Sequence, residues 1–199
     1  LRNNENFERL KLLADTWTAS FFWPLEEKDI SITDFPYPNN TFIAELKMGR
    51  TIKKKGKVKW DIFEKVKELA DKNQFFHWYL EFPEVFKRKE EGFDLILSNP
   101  PWEELRLMEM EFFVGEEEIE NATTQSKRRM LIKRLAQKKP TLFNKYSNAW
   151  INMKKMSKYL RNSQQFNLTA QGTINTYAVF AEKNLSLLSN NGYFGIVSP

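Results

Sequence analysis

Asn99-Pro100-Pro101-Trp102 follows directly on the apolar run Phe93-Asp94-Leu95-Ile96-Leu97-Ser98, and these four residue types in this order can hold one small planar substrate. Neither proline carries a backbone N–H, so no sheet or helix continues through them. Pro100 also forces Asn99 into an extended conformation. The expected result is a stiff corner at the carboxyl end of a strand, where open α/β sheets place their ligands. From such a corner the Asn99 side-chain oxygen and the Pro100 carbonyl can accept the two N–H bonds of an exocyclic amine. An amine conjugated to a base is a poor nucleophile, because its lone pair is delocalised into the ring. Accepting both hydrogens favours a pyramidal nitrogen and stabilises the positive charge that grows on it. Trp102 can stack on a base flipped out of a duplex, a contact worth ~1–3 kcal/mol. The reaction this suits is transfer of a methyl group from a sulfonium donor to the amine, such as that of adenine. No strong base is needed, since the proton leaves after the nitrogen has become cationic. The alternative is an ordinary proline-rich turn with Trp102 packed in a core.

Other chemistries are restricted by what the chain lacks. With no cysteine and one histidine, a disulfide framework and almost any zinc site are excluded. His77 sits among aromatics and reads as structural; Glu116–Glu120 reads as a solvated helix start, and no metal site is expected. Glu45-Leu46-Lys47 after Asp34 faintly resembles the carboxylate–lysine pattern of magnesium-dependent nucleases. The net charge of +5 is unevenly spread. Residues 47–67 hold nine Lys or Arg, among them Lys53, Lys54 and Lys55, against Asp61 and Glu64. Residues 127–139 hold seven, beginning with Lys127, Arg128 and Arg129, and no acid, while residues 103–120 carry eight Glu against Arg106. Either basic block alone reads as a solvated face. Two of them flanking a base-holding corner suggest a surface that tracks phosphates, with those six cations as candidate nucleic-acid contacts.

The elements that must position these groups follow from periodicity. A content of 41% hydrophobic residues, with 17 Phe and 6 Trp, describes a globular chain of one domain or slightly more. No apolar run approaches the ~20 residues of a membrane span, so a soluble, cytoplasmic protein is expected. Phe7, Leu10, Leu13, Ala14, Trp17 and Phe21 fall at helical spacing over residues 5–22. Residues 29–45 read as irregular and 49–60 as a basic loop. Asp61 then caps a helix with Ile62, Phe63, Val66, Leu69 and Ala70 on one face. The aromatic group at 75–86 predicts a short buried strand closed by Pro83, and residues 93–98 a central parallel strand. Helices are expected near 103–113, 117–137 and 145–161. Another spans Thr173 to Leu188 with Tyr177, Phe180, Ala181, Leu185 and Leu188 aligned; Asn190-Asn191-Gly192 ends it before a strand from Tyr193 to Ser198. Strand, helical crossover and parallel strand follow βαβ grammar. The expected organisation is a helical and loop region over 1–74, then a partial catalytic domain over 75–199 with a helical insertion at 103–170.

Phe93 to Trp102 resembles the catalytic motif of N6-adenine DNA methyltransferases. The similarity extends to Phe76-His77-Trp78 with Glu81-Phe82-Pro83-Glu84-Val85-Phe86, and to Leu107, Glu109, Glu111, Phe112 and Phe113. It continues through Asn175-Thr176-Tyr177-Ala178-Val179-Phe180 with Glu182, and Gly192-Tyr193-Phe194-Gly195-Ile196-Val197-Ser198-Pro199. Together these resemble the methylase region of single-chain restriction–modification enzymes, the type II subtype G kind and related phage-defence methylases. The resemblance implies a partial Rossmann-like class I methyltransferase fold and S-adenosylmethionine as donor. It also implies double-stranded DNA as partner, with Asn99, Pro100, Pro101 and Trp102 as the catalytic, base-binding residues. It places Glu81 against the adenine part of the donor; a surface glutamate explains that residue equally well. Asn175 and Tyr177 begin a helix near the site by the same resemblance, and a cap and a core aromatic serve as well.

Such enzymes bind the donor through a glycine-rich loop after the first strand. The seven glycines are Gly49, Gly56, Gly92, Gly115, Gly172, Gly192 and Gly195, and none makes such a turn ahead of the motif. The expectation is therefore a fragment of a longer polypeptide, inactive by itself, whose recognised DNA sequence and oligomeric state are not written here. Three rival readings remain. The same motif class serves methyltransferases of protein glutamine or RNA guanine; the Asp34, Glu45, Lys47 pattern would be a nuclease; and the fold could persist as a non-catalytic nucleic-acid-binding module.

Overall fold

In the computed structural model, residues 5–23, 43, 44, 47, 48 and 62–198 are described. They form a mixed helix and strand protein with one two-stranded parallel sheet, compatible with a partial α/β methyltransferase fold. No helix among them is long and apolar enough to cross a membrane. The chain divides into two compact units, Leu1–Ser98 with Asn184–Ile196, and Asn99–Lys183 with Val197–Pro199.

The first unit opens with helix α1, Glu5–Phe22, as the spacing predicts. Its buried face, however, is Asp15, Thr16, Thr18, Ala19 and Phe22, whereas Leu10 is exposed. Small side chains allow α2, Ile62–Asn73, to pack against it through Val66, Leu69 and Ala70. The expected cap Asp61 lies outside the described residues. The strand expected at 75–86 does not form. Two helical turns replace it, α3 at Trp78–Glu81 and α4 at Pro83–Phe86, with Pro83 at the first helical positions where its missing N–H is harmless. Trp78 and Phe82 stand four residues apart and stack at 5.7 Å, a helical contact out of reach in a strand, where the same residues would lie about 13 Å apart. Phe82, Trp78 and Phe86 each meet Phe93 edge-on, so this aromatic group becomes the bed for the strand that follows.

That strand, β1 at Phe93–Ser98, pairs in parallel with β2 at Leu188–Ile196. Leu95 and Leu97 are more than half exposed, so β1 is not the fully covered strand its composition suggests. The register jumps from Phe93 opposite Leu188 to Leu95 opposite Tyr193. Asn190-Asn191-Gly192 therefore lies inside β2 and does not end the preceding helix, as its turn chemistry suggests it should. Glycine is required on both sides of this irregularity. A Cβ at Gly192 would stand 2.6 Å from the Phe93 carbonyl oxygen, and one at Gly92, whose φ is +114°, would stand 2.4 Å from the Leu188 carbonyl carbon. Arg88 closes the turn before β1 with two hydrogen bonds to Asp94, 2.7 and 2.9 Å, and a third to the Gly92 carbonyl.

The second unit is mostly helical. The expected helix at 103–113 shrinks to α5, Glu109–Phe112, followed by α6, Glu117–Glu120, α7, Gln125–Lys138, and α8, Pro140–Asn162. Phe113, Ile119, Leu131, Ile132 and Leu135 form one core, with Tyr146 of α8 packed on it. The Tyr146 hydroxyl donates to Glu109 at 2.9 Å. A second core joins Leu160, Phe166, Ala170, Ile174 and Val179, with Leu105 against it. Arg161 pins the intervening loop by donating to the Ala170 and Gly172 carbonyls at 2.8 and 2.6 Å. Helix α9, Thr176–Leu187, completes the set of elements. Its buried positions include Val179, Asn184 and Leu187, while Phe180 and Leu185 of the expected apolar face are exposed.

Candidate base-binding site

The corner at Asn99–Trp102 has no regular secondary structure and leaves β1 at its carboxyl end. Asn99 is exposed, and no donor or acceptor among the described residues engages its amide. The Pro100 carbonyl likewise receives no protein donor among them. Two acceptor-bearing groups on consecutive residues, exposed Asn99 and buried Pro100, thus have no protein donor among the described residues, while the prolines stiffen the backbone between them. Trp102 is 54% exposed, which excludes the reading of a core tryptophan. Its indole N–H donates to the Val197 carbonyl at 3.2 Å. The ring is held by its edge and its face stays open, the arrangement a stacked base requires.

The chain on either side of the corner is tied down. Asn184, buried in α9, donates its amide to the Ser98 hydroxyl at 2.9 Å. In the second unit, Thr176 at the start of α9 reaches the segment leaving the corner. Its hydroxyl is shared between the Pro101 carbonyl at 2.7 Å and the Glu103 carbonyl at 2.9 Å, and it accepts the Glu103 N–H at 3.1 Å. The Thr176 N–H donates to the Glu103 carbonyl, and the Leu105 N–H donates to the Ile174 carbonyl. These bonds flank an isolated antiparallel bridge between Glu104 and Asn175. Neither Thr176 nor Asn184 stands out in the sequence as a site residue. Thr176 lies within a string that resembles methylases, but a threonine at a helix start reads as a cap.

Glu81 ends α3 in the first unit and is half-buried; its expected place at the end of a strand is corrected to the end of a helical turn. Asn175 accepts the Val179 N–H through its carbonyl and Tyr177 is half-buried. His77 donates through Nε2 to the Asp15 carboxylate at 2.8 Å, and the other carboxylate oxygen takes the Lys11 ammonium at 2.7 Å. Burial pushes the Asp15 carboxyl up, but hydrogen bonds from His77 and Lys11 outweigh it and leave the group below its ordinary value. The sole histidine therefore has a structural partner.

The basic residues separate by surroundings. Lys53, Lys54 and Lys55 lie outside the described residues, as do Asp34 and Glu45 of the nuclease pattern. Lys127 and Arg128 lie in the first turn of α7 and Arg129 just beyond it; Thr124 caps the helix by accepting the Lys127 N–H. Arg128 is half-buried and donates to the Ala122 carbonyl at 3.3 Å, whereas Lys127, Arg129, Lys133 and Arg134 are exposed. At helical spacing Arg129 and Lys133 lie opposite buried Leu131, Ile132 and Leu135, with Lys127 and Arg134 at the two ends of the exposed surface. Lys138 and Lys139 are paired with Glu118 and Glu116. The segment just after the corner is acidic: Glu103, Glu104 and Glu111 line an open groove with Arg106, which pairs with Glu104 at 2.6 Å.

A methyl donor would need a cradle where backbone approaches it closely. At Gly92 and Gly192 the space of a Cβ is filled by the neighbouring strand, and at Gly115 and Gly172 it is open. Gly195 faces the Leu97 side chain. The described glycines thus serve strand pairing and surface turns, and they do not form a donor loop. No group of three or more His, Cys, Asp or Glu among the described residues could hold a metal ion.

Comparison with known proteins gives a family for the chain. The model of the Eco57I restriction-modification methylase family matches residues 9–133, which takes in most of α1, β1, the corner and most of α7. No curated protein and no solved structure matches the chain. With 125 of its 199 residues matched, the chain belongs to the Eco57I restriction-modification methylase family.

Proposed function

We propose that this chain carries the base-binding half of an adenine-N6 DNA methyltransferase in a restriction–modification or phage-defence system, of the type II subtype G kind. The observation that carries this reading is the unclaimed pair of acceptors at Asn99 and Pro100 beside the open face of Trp102. Adenine offers both N–H bonds of its N6 amine in one plane with a stackable ring, and these three groups complement it. Asn99 and Pro100 hold the nitrogen pyramidal and stabilise its developing charge. Trp102 keeps the flipped base from re-entering the duplex. S-adenosylmethionine is the donor this reading implies. Glu81 is the one residue assigned toward it. The parallel pair β1–β2 with its helical crossover is read as part of a Rossmann-like methyltransferase sheet.

Double-stranded DNA is the proposed partner. Lys127 and Arg129, with Lys133 and Arg134 beside them, supply the phosphate contacts; Lys53, Lys54 and Lys55 are assigned to the same role from sequence alone. With no donor loop among the described residues and no glycine-rich turn ahead of the motif in the sequence, the 199-residue chain taken alone is expected to transfer no methyl group and to require further parts of its parent polypeptide. The test is to supply the full-length protein with donor carrying a labelled methyl group, together with DNA, RNA and protein acceptors. Digestion of the products should give N6-methyladenine from DNA. Label on guanine of RNA or on glutamine would replace the substrate assignment, and salt-sensitive DNA binding without any label would replace the enzyme with a binding module.

A further inference from the structure

We infer that Thr176 is a positioning residue for this methyl transfer, acting on the Pro100 carbonyl through the backbone of the corner; the inference rests on the function proposed above. Pro100 and Pro101 have no N–H, so ladder hydrogen bonds cannot fix the backbone between Asn99 and Trp102. The carbonyls are the only handles left, and the Pro100 carbonyl must stay free for the amine. That leaves the Pro101 carbonyl, and the Thr176 hydroxyl stands 2.7 Å from it. The pyrrolidine ring fixes φ of Pro101 near roughly −65°. One torsion, ψ of Pro101, therefore separates the peptide plane that holds the Pro100 oxygen from the plane that Thr176 grips. Holding the second plane orients the first.

Thr176 is itself fixed well enough to do this. Its N–H and hydroxyl make reciprocal bonds with both backbone groups of Glu103, and the neighbouring Leu105–Ile174 bond prevents the strap from sliding. Threonine at a helix start ordinarily caps its own helix. Here the side chain instead reaches residues 73 and 75 positions earlier in the chain. A cap would be indifferent to the chemistry; a grip on Pro101 is not.

The experiment compares Thr176→Val and Thr176→Ser with wild type in the full-length protein, measuring kcat and KM for DNA alongside thermal unfolding. Valine keeps the branched shape and removes the hydroxyl; serine keeps the hydroxyl. The expected result is a fall in kcat of about 10²-fold for Thr176→Val, the scale of a misplaced reacting group. KM for DNA should change little, and Thr176→Ser should stay near wild type. If Thr176→Val does not fold, Thr176→Ala is read in its place by the same criteria. Wild-type kcat in the valine or alanine variant overturns the inference, as does a loss confined to KM or an equal loss in Thr176→Ser. Absence of N6-methyladenine formation by wild type overturns the underlying reading first, which separates the two failures.

Discussion

At the scale of single residues, the proposed role of the corner follows from two prolines that remove backbone donors and leave acceptors behind. Trp102 illustrates how the surroundings choose between two uses of one side chain. Its N–H is satisfied by the Val197 carbonyl, so the ring can remain largely exposed without leaving a polar atom stranded. Replacing Trp102 by alanine is expected to raise KM for DNA by about 5–150-fold, the equivalent of ~1–3 kcal/mol of stacking. Trp102→Phe should recover most of it. Steady-state kinetics at fixed salt checks this, and an unchanged KM in the alanine variant would remove Trp102 from the base-binding role. The corner is legible in the sequence because proline imposes its geometry on adjacent residues. Thr176 is not, since its function depends on a hydrogen bond across 75 residues that no local pattern announces. Glu81 is assigned by resemblance, and its helical setting comes only with the structure.

At the scale of elements, what can be read is again what short-range physics dictates. Helix α1 and strand β1 form where the spacing and composition of their residues place them, although the faces they bury differ from those the apolar pattern suggests. The aromatic stretch at 75–86 misleads because β-propensity measures packing on a sheet surface, and these rings pack on each other at helical spacing instead. The strand pairing depends on glycine: at Gly92 both the positive φ and the backbone of Leu188 exclude a side chain. Gly92→Ala is therefore expected to destabilise the protein by about 1–3 kcal/mol or more, read from denaturant unfolding. In the helical unit, burial and the hydrogen bond to Glu109 push the Tyr146 hydroxyl up to about 12 from its ordinary value of 10.0. The folded state thus favours neutral Tyr146. That stabilisation is fully present below pH 10 and is lost as pH rises through about 12. Tyr146→Phe should be less stable than wild type at neutral pH yet lose less stability across that alkaline window; parallel curves for the two proteins would contradict the assignment.

At the scale of the whole molecule, the charge pattern is the least explained by folding. The exposed surface of α7 carries Lys127, Arg129, Lys133 and Arg134 with no acid in the helix, and its first turn sets cations against the helix dipole. Arg129 and Lys133 also repel one another at a four-residue spacing. Such an arrangement is better accounted for by a polyanion than by stability. Changing all four to alanine should weaken DNA binding in low salt and flatten the dependence of log K on log salt by roughly 0.9 for each phosphate no longer neutralised. An unaltered slope would show that phosphates are tracked elsewhere. The central claim, that the Asn99–Trp102 corner performs amine methylation on adenine, is tested most directly by quantifying N6-methyladenine formed in DNA by the full-length protein and its Asn99→Ala variant. The account predicts that kcat falls by about 10²–10³-fold while the fold and DNA binding persist. Methylation at an undiminished rate in Asn99→Ala would contradict it.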